Sequence, residues 1–254
     1  MWRGREPNGS AYQIRVKAYD GSQWIWEDGG SSSGINYDYR YSAGDAQMAV
    51  FAGKLYVAWA EYKYFGTGTQ IRIKAYDGSQ WTWADGATPG SGMDFDPAND
   101  AGYPRLAVFG DKLYAAWDEV AYEGTAHQIR LKAYDGSQWA WADGGAVNGI
   151  NYDSSKDAYA PVLAVFNGKL YATWGEWNGP GASIGNSTTG WQVRVKAYDG
   201  SQWAWADGGA SNGVNYDSSE STYYPELAVF NNSLYFTWAE YNGTAYEIRM
   251  AYGF

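Results

Sequence analysis

The chain has 254 residues, no cysteine, a single histidine (His127) and a formal net charge of −10. No cysteine means no disulfide and no thiolate metal site, and one histidine argues against a histidine-built metal centre or a Ser-His-Asp triad. The negative balance opposes a nucleic-acid partner, and without a run of about twenty apolar residues no membrane insertion is expected.

From the N-terminus, Trp2 marks a stub of one strand. Gln13–Asp20 and Gln23–Asp28 follow as two strands meeting at an Asp-Gly turn. Across that turn runs AYDGSQW, from Ala18 to Trp24. The same seven letters return at Ala75, Ala133 and Ala197. The spacing of their aspartates, Asp20, Asp77, Asp135 and Asp199, defines a repeat slightly longer than the usual solenoid or propeller period. The one long interval carries an insertion at Asn178–Gly190, read as a surface loop.

Each repeat contains four short runs with strand character, called A to D here. In the third repeat they are Val162–Phe166, Lys169–Glu176, Gln192–Asp199 and Gln202–Asp207. Strand C alternates strictly, with Val193, Val195 and Ala197 on one side and Arg194, Lys196 and Tyr198 on the other, a period of two. Asn167-Gly168 joins A to B, and Asp199-Gly200-Ser201 joins C to D; both suit the positive φ of tight hairpins. The stretch from D to the next A (144–161) is too long for a hairpin. The last runs are Glu226–Phe230, Ser233–Glu240 and Glu247–Gly253, an A, a B and a C.

Three tight turns and one long crossing per repeat predict an all-β fold, a β-propeller of four-stranded antiparallel blades. A single domain over 1–254 is expected. Four blades are expected, the last shared by the two chain ends in a velcro closure; five blades, or part of a larger ring of several chains, is the alternative. One C strand is then surplus and offers an edge for a homo-oligomer. The Trp pairs of strand D (Trp24/Trp26, Trp81/Trp83, Trp139/Trp141, Trp203/Trp205) are expected to fill the wedges between diverging blades.

On this layout the chain resembles β-propeller repeats of bacterial surface and lectin-like proteins. AYDGSQW is similar to the Asp-box of sialidase propellers, with Ala18 where Ser or Thr is expected and Asp20 to Trp24 one residue short. That resemblance implies a propeller fold and a structural role for the Asp-box, away from any catalytic site.

Function is sought on the long loops. The D–A loops repeat an amide or carboxylate, a ring and a carboxylate: Asn36, Tyr37 and Asp38; Asp94, Phe95 and Asp96; Asn151, Tyr152 and Asp153; Asn215, Tyr216 and Asp217. A ring beside oxygen groups suits a sugar, with its apolar face and hydroxyl rim, although Asn and Asp also cap turns. The ends of strand B repeat Trp-x-Glu, giving Glu61, Glu119, Glu176 and Glu240. These glutamates are candidate hydroxyl ligands, or partners for the C-strand arginines Arg72, Arg130, Arg194 and Arg249. Calcium is a weaker idea, because Asn36, Asn151 and Asn215 replace the first aspartate and no EF-hand spacing exists. No metal and no cofactor is expected.

The reading is a multivalent glycan-binding propeller, with glycans or glycoconjugates as partners. The alternative is a structural or protein-interaction propeller with no small ligand. Catalysis is not expected, since acids recur by blade where an active site wants one asymmetric constellation. No signal peptide is visible at MWRGRE; a secreted or cell-surface location is favoured and the compartment stays unassigned.

Overall fold

The computed structural model describes residues 2–5, 11–30, 34–62, 68–86, 92–120, 126–146, 148–179, 190–210 and 213–252. Among them there are nineteen strands and no helix. Their contacts form two compact units, Met1–Pro104 and Arg105–Phe254.

The first unit opens with β1 (Trp2–Arg5), β2 (Tyr12–Arg15), β3 (Lys17–Tyr19) and β4 (Trp24–Trp26). β1 pairs with β2 and β3 with β4, so the predicted first C strand is present in two pieces. A four-stranded antiparallel sheet follows in the order β5 (Ala43–Phe51), β6 (Lys54–Tyr62), β7 (Thr69–Tyr76), β8 (Trp81–Trp83). The next sheet, β9 (Ala101–Phe109) to β12 (Trp139–Trp141), has β10 (Lys112–Val120) and β11 (His127–Tyr134) between them; its first strand begins before the unit boundary. The second unit continues with β13 (Ala158–Phe166), β14 (Lys169–Trp177), β15 (Trp191–Tyr198) and β16 (Trp203–Trp205) in that order. It ends with the three-stranded sheet β17 (Thr222–Phe230), β18 (Ser233–Tyr241), β19 (Tyr246–Tyr252). These are the repeated four-stranded blades of a β-propeller.

The A strands begin earlier than the sequence suggested and run through Pro104, Pro161 and Pro225. Strand A sits at the edge of its sheet, so a proline there removes no ladder hydrogen bond. Before the prolines the register slips, between Tyr159 and Val162 and between Tyr223 and Glu226, with positive φ at Ala160 (53°) and Tyr224 (53°). The A–B hairpins take the predicted left-handed turns: Asn167 and Gly168 have φ of 46° and 69°.

The core is built between neighbouring sheets. Val193 and Val195 of β15 pack on Leu234, Phe236 and Trp238 of β18, and Ile129 and Leu131 of β11 pack on Ala172 and Trp174 of β14. Ile14 and Val16 do the same against Val57 and Trp59. At β19 the equivalent positions, Ile248 and Met250, are 78% and 65% exposed.

The wedge-filling tryptophans are those of strand B. Trp59, Trp117 and Trp174 are fully buried, whereas Trp81, Trp83, Trp139, Trp141, Trp203 and Trp205 are half-buried. Strand D is short and outermost, so its rings close the outside of the interface. Trp203 Nε1 donates to Ala142 O of the preceding sheet (2.8 Å), and Trp81 Nε1 to Glu27 O (2.7 Å). The second ring of each pair lies under cations: Trp205 is 4.6 Å from the Arg194 guanidinium and 4.0 Å from Lys196 Nζ.

The fourfold heptapeptide is a turn lock. Asp135 Oδ1 accepts the N–H of Ser137 (2.8 Å), the Ser137 hydroxyl (2.7 Å) and the N–H of Gln138 (2.9 Å), and the other three turns repeat this. The Gln N–H, then the Ser hydroxyl, holds each of Asp20, Asp77, Asp135 and Asp199 down from 3.8 to about 2. A carboxylate lowered on folding stabilises the fold above its unfolded pKa, and this is lost as pH falls through the folded value. Carboxyl NMR titration is therefore expected to place four aspartate midpoints near 2, and midpoints at the ordinary 3.8 would remove the lock.

Candidate functional site

The predicted loop and strand-end residues meet, and most of them hold the scaffold together. In the second unit Asn151 Oδ1 accepts the N–H of Ile129 (2.8 Å), while its amide donates to His127 O (3.0 Å) and Lys156 O (3.2 Å). The loop thereby clamps the C strand of its own blade. Gly149 just before it must be glycine, since a Cβ there would stand 2.3 Å from Ile129 O and φ is 56°. The next two N–H groups, of Tyr152 and Asp153, donate to the two oxygens of Glu176 on the following blade (2.9 and 2.7 Å), and Trp174 Nε1 donates to the same carboxylate (2.8 Å).

The arrangement repeats. Asn215 accepts from Val193 N, and Tyr216 N and Asp217 N donate to Glu240 (3.1 and 2.5 Å). In the first unit Asn36 accepts from Ile14 N, and Tyr37 N, Asp38 N and Trp59 Nε1 donate to Glu61 (2.9, 2.8 and 2.7 Å). Asp94 replaces Asn and accepts from Ile71 N (2.9 Å); Glu119 accepts from Trp117 Nε1 (2.8 Å). Burial pushes Glu61 and Glu176 up, against the loop amides and the indole that pull them down.

The arginines do not take the glutamates as their first partners. Arg72 pairs with Asp85 (2.7 Å), Arg130 with Asp143 (3.0 Å) and Arg194 with Asp207 (3.1 Å). The glutamate oxygens already accept indole and backbone donors, and the Asp after strand D also caps the same strand: Asp207 accepts Val195 N and Gly209 N. Arg249 lies 3.9 Å from its strand-B glutamate, Glu240, and closer to Glu247 (3.0 Å).

The exposed loop groups of the second unit include Tyr152, Asp153, Tyr216 and Asp217. Tyr152 is 42% and Tyr216 78% exposed; Tyr37 and Phe95 are half-buried. Each tyrosine rests on a guanidinium: Arg72 under Tyr37 (4.6 Å), Arg194 under Tyr152 (4.3 Å), Arg249 under Tyr216 (4.5 Å). Asp38 is paired with Arg40, and Asp153 and Asp217 bind the serines two residues on, which lowers all three. Asp96 accepts from Ala98 N in the same kind of turn (2.9 Å).

The repeat logic missed a second cluster, one that breaks the repeat. Asp118 of β10 stands where the other B strands have Ala60, Gly175 and Ala239; it is buried, 3.4 Å from His127 Nδ1, and accepts the N–H of the strained Ala160 (3.0 Å). The His127 ring lies tilted against Tyr159 (4.3 Å between centroids), and rings continue through Trp191 to Trp177 and to Tyr223 and Tyr246. The available signal was comparison of equivalent positions: only one repeat has His at the head of strand C.

A β-propeller with repeated aromatic loops and one irregular aromatic corner is thus the class of protein defined by fold and site. No protein-family model and no curated protein matches the sequence, the lectin-like type included. Solved structures do match in fold. A glycoside hydrolase aligns over 95% of this chain and 78% of its own (TM-score 0.51, 11% identity). A GH43 β-xylosidase/α-arabinofuranosidase from a compost microbial metagenome, solved with xylotriose, aligns over 84% and 78% (0.51, 12%). Sucrose-6-phosphate hydrolase from Lactobacillus gasseri aligns over 78% of this chain (0.52, 14%), which spans 40% of that enzyme. The similar propellers are carbohydrate-active, and this overturns the expectation that the chain is no enzyme: glycoside hydrolases use the same fold. At these identities the likeness is one of fold.

Proposed function

We propose that this chain is a carbohydrate-active propeller that binds glycans at repeated D–A loop platforms. One observation carries the reading. Each loop tyrosine is held by a guanidinium on one side while Tyr152 and Tyr216 stay open to solvent, beside Asp153 and Asp217. A rigid ring next to an oxygen acceptor suits the apolar face and hydroxyl rim of a sugar. Asn36, Asn151, Asn215 and the strand-B glutamates act as fasteners that position the ring. Several weak sites on one rigid scaffold raise avidity without new contacts.

Glycan-array binding followed by calorimetric titration tests this. More than one sugar per chain is expected, with Tyr152→Ala and Tyr216→Ala each removing a site and leaving the melting temperature near that of the parent. A stoichiometry of one, or no binding to neutral or acidic glycans, counts against the platforms.

The fold neighbours favour a second reading, hydrolysis of glycosides. Turnover of an aryl glycoside, abolished by a single carboxylate change, supports it. Full retention of activity in every such variant excludes it.

A further inference from the structure

In a chain that repeats itself so closely, departures from the repeat are informative, and in the second unit they converge. The single histidine heads β11 where other C strands begin with Thr69, Trp191 and Tyr246. Asp118 replaces the small residues of the other B strands, and its Oδ1 lies 3.4 Å from that histidine's Nδ1. Tyr159 and Tyr223 occupy the A-strand position that is glycine at Gly44 and Gly102. Trp177 and Trp191 flank the one insertion, whose base closes by Asn178 N donating to Gly190 O (2.6 Å). Gly179 and Gly190 press on the Trp177 ring; a Cβ on either would stand 2.3 or 2.8 Å from it.

The positive φ in strand A belongs to the repeat: Asp45, Tyr103, Ala160 and Tyr224 stand at 51°, 50°, 53° and 53°. Tyr224, an aromatic residue, is held at a φ of 53° with 82% of its surface in solvent. Bulges re-aim side chains, and here, as at Tyr103, the residue turned outward is a ring. Behind it, Tyr223 contacts Trp191 (6.3 Å), Tyr224 (6.2 Å) and Tyr246 (5.7 Å), so the exposed ring is backed by a fixed aromatic bed.

We propose that His127, Tyr159, Trp191, Tyr223 and Tyr224, with Asp118 behind the imidazole, form a single binding site for a short neutral oligosaccharide, separate from the loop platforms. Rings offer stacking faces. The phenols and the imidazole offer hydrogen bonds to a hydroxyl rim, and the buried Asp118 carboxylate lies behind the imidazole. The six residues contribute no guanidinium or ammonium group, which suits hydroxyls and disfavours a phosphate or carboxylate ligand. The site rests on the carbohydrate reading of the chain and is independent of the repeated platforms.

The test is calorimetric titration of the full chain with xylotriose, arabinobiose and cellotriose. Tyr224→Ala changes a solvent-exposed ring and is expected to fold as the parent does; His127→Ala removes the imidazole. For at least one probe both variants are expected to lose about tenfold or more in affinity, a change of about 1.4 kcal/mol, with Tyr152→Ala and Tyr216→Ala retaining that binding event. If His127→Ala melts early, Tyr224→Ala alone decides. Equal affinity in Tyr224→Ala and parent, or no binding of any probe, overturns the site. Failure of the platforms looks different: Tyr152→Ala and Tyr216→Ala leave stoichiometry unchanged while the corner still binds.

Discussion

Trp174→Ala is expected to lower the free energy of unfolding by about 3–5 kcal/mol, the range for deleting a large buried aromatic side chain. The ring is fully buried in the core formed with Ile129, Leu131, Ile150 and Ala172. Its loss opens a cavity between neighbouring blades. It also removes the indole donor from Glu176, whose carboxylate holds the D–A loop through Tyr152 N and Asp153 N. Trp174→Phe separates these effects: it keeps most of the volume, and the missing hydrogen bond costs about 1–3 kcal/mol. Denaturant unfolding of both variants checks the order. An alanine variant as stable as the phenylalanine variant would mean that the ring does not fill the junction.

Arg194→Ala is expected to cost a similar amount, about 3–5 kcal/mol, for an electrostatic reason. The Arg194 side chain is 1% exposed and that of Asp207 is fully buried, 3.1 Å away. Alanine takes the guanidinium from the buried carboxylate, which keeps the N–H groups of Val195 and Gly209. It also removes the cation that contacts both Tyr152 and Trp205 and the donor to Ala210 O. Arg194→Lys is expected to recover little, because an ammonium cannot reproduce the planar fork that reaches Asp207 and Ala210 O while contacting both rings. Removing both charges with Arg194→Met and Asp207→Asn is expected to cost less than Arg194→Ala alone. Chemical denaturation decides; a double variant no more stable than the single one would show that the charge left behind is not the source of the loss.

Both expectations concern residues whose type the repeat made visible and whose partners it did not. The heptapeptide, the Asn-Gly turns and the period-two pattern of strand C are local signals, and each survives as an observed turn or strand. The strand-B glutamates stood out by recurrence, yet their partners lie about two dozen residues earlier in the chain, at loop amides that carry no residue-type signature. The arginines stood out the same way. Their carboxylates proved to be the aspartates after strand D, because strand D returns beside strand C in the same sheet. The loop rings were legible as candidates; that guanidinium groups support them was not.

Strand identity, hairpin turns and the repeating blade follow from the amino-acid sequence alone, since side-chain alternation and positive-φ turn residues act over a few neighbouring positions. Which tryptophans are buried, which carboxylate each arginine meets, and the gathering of Asp118, His127, Tyr159, Trp191 and Tyr223 at one corner were decided only by tertiary structure. Those contacts join residues remote in the chain, and their geometry is set by the packing of one sheet against the next.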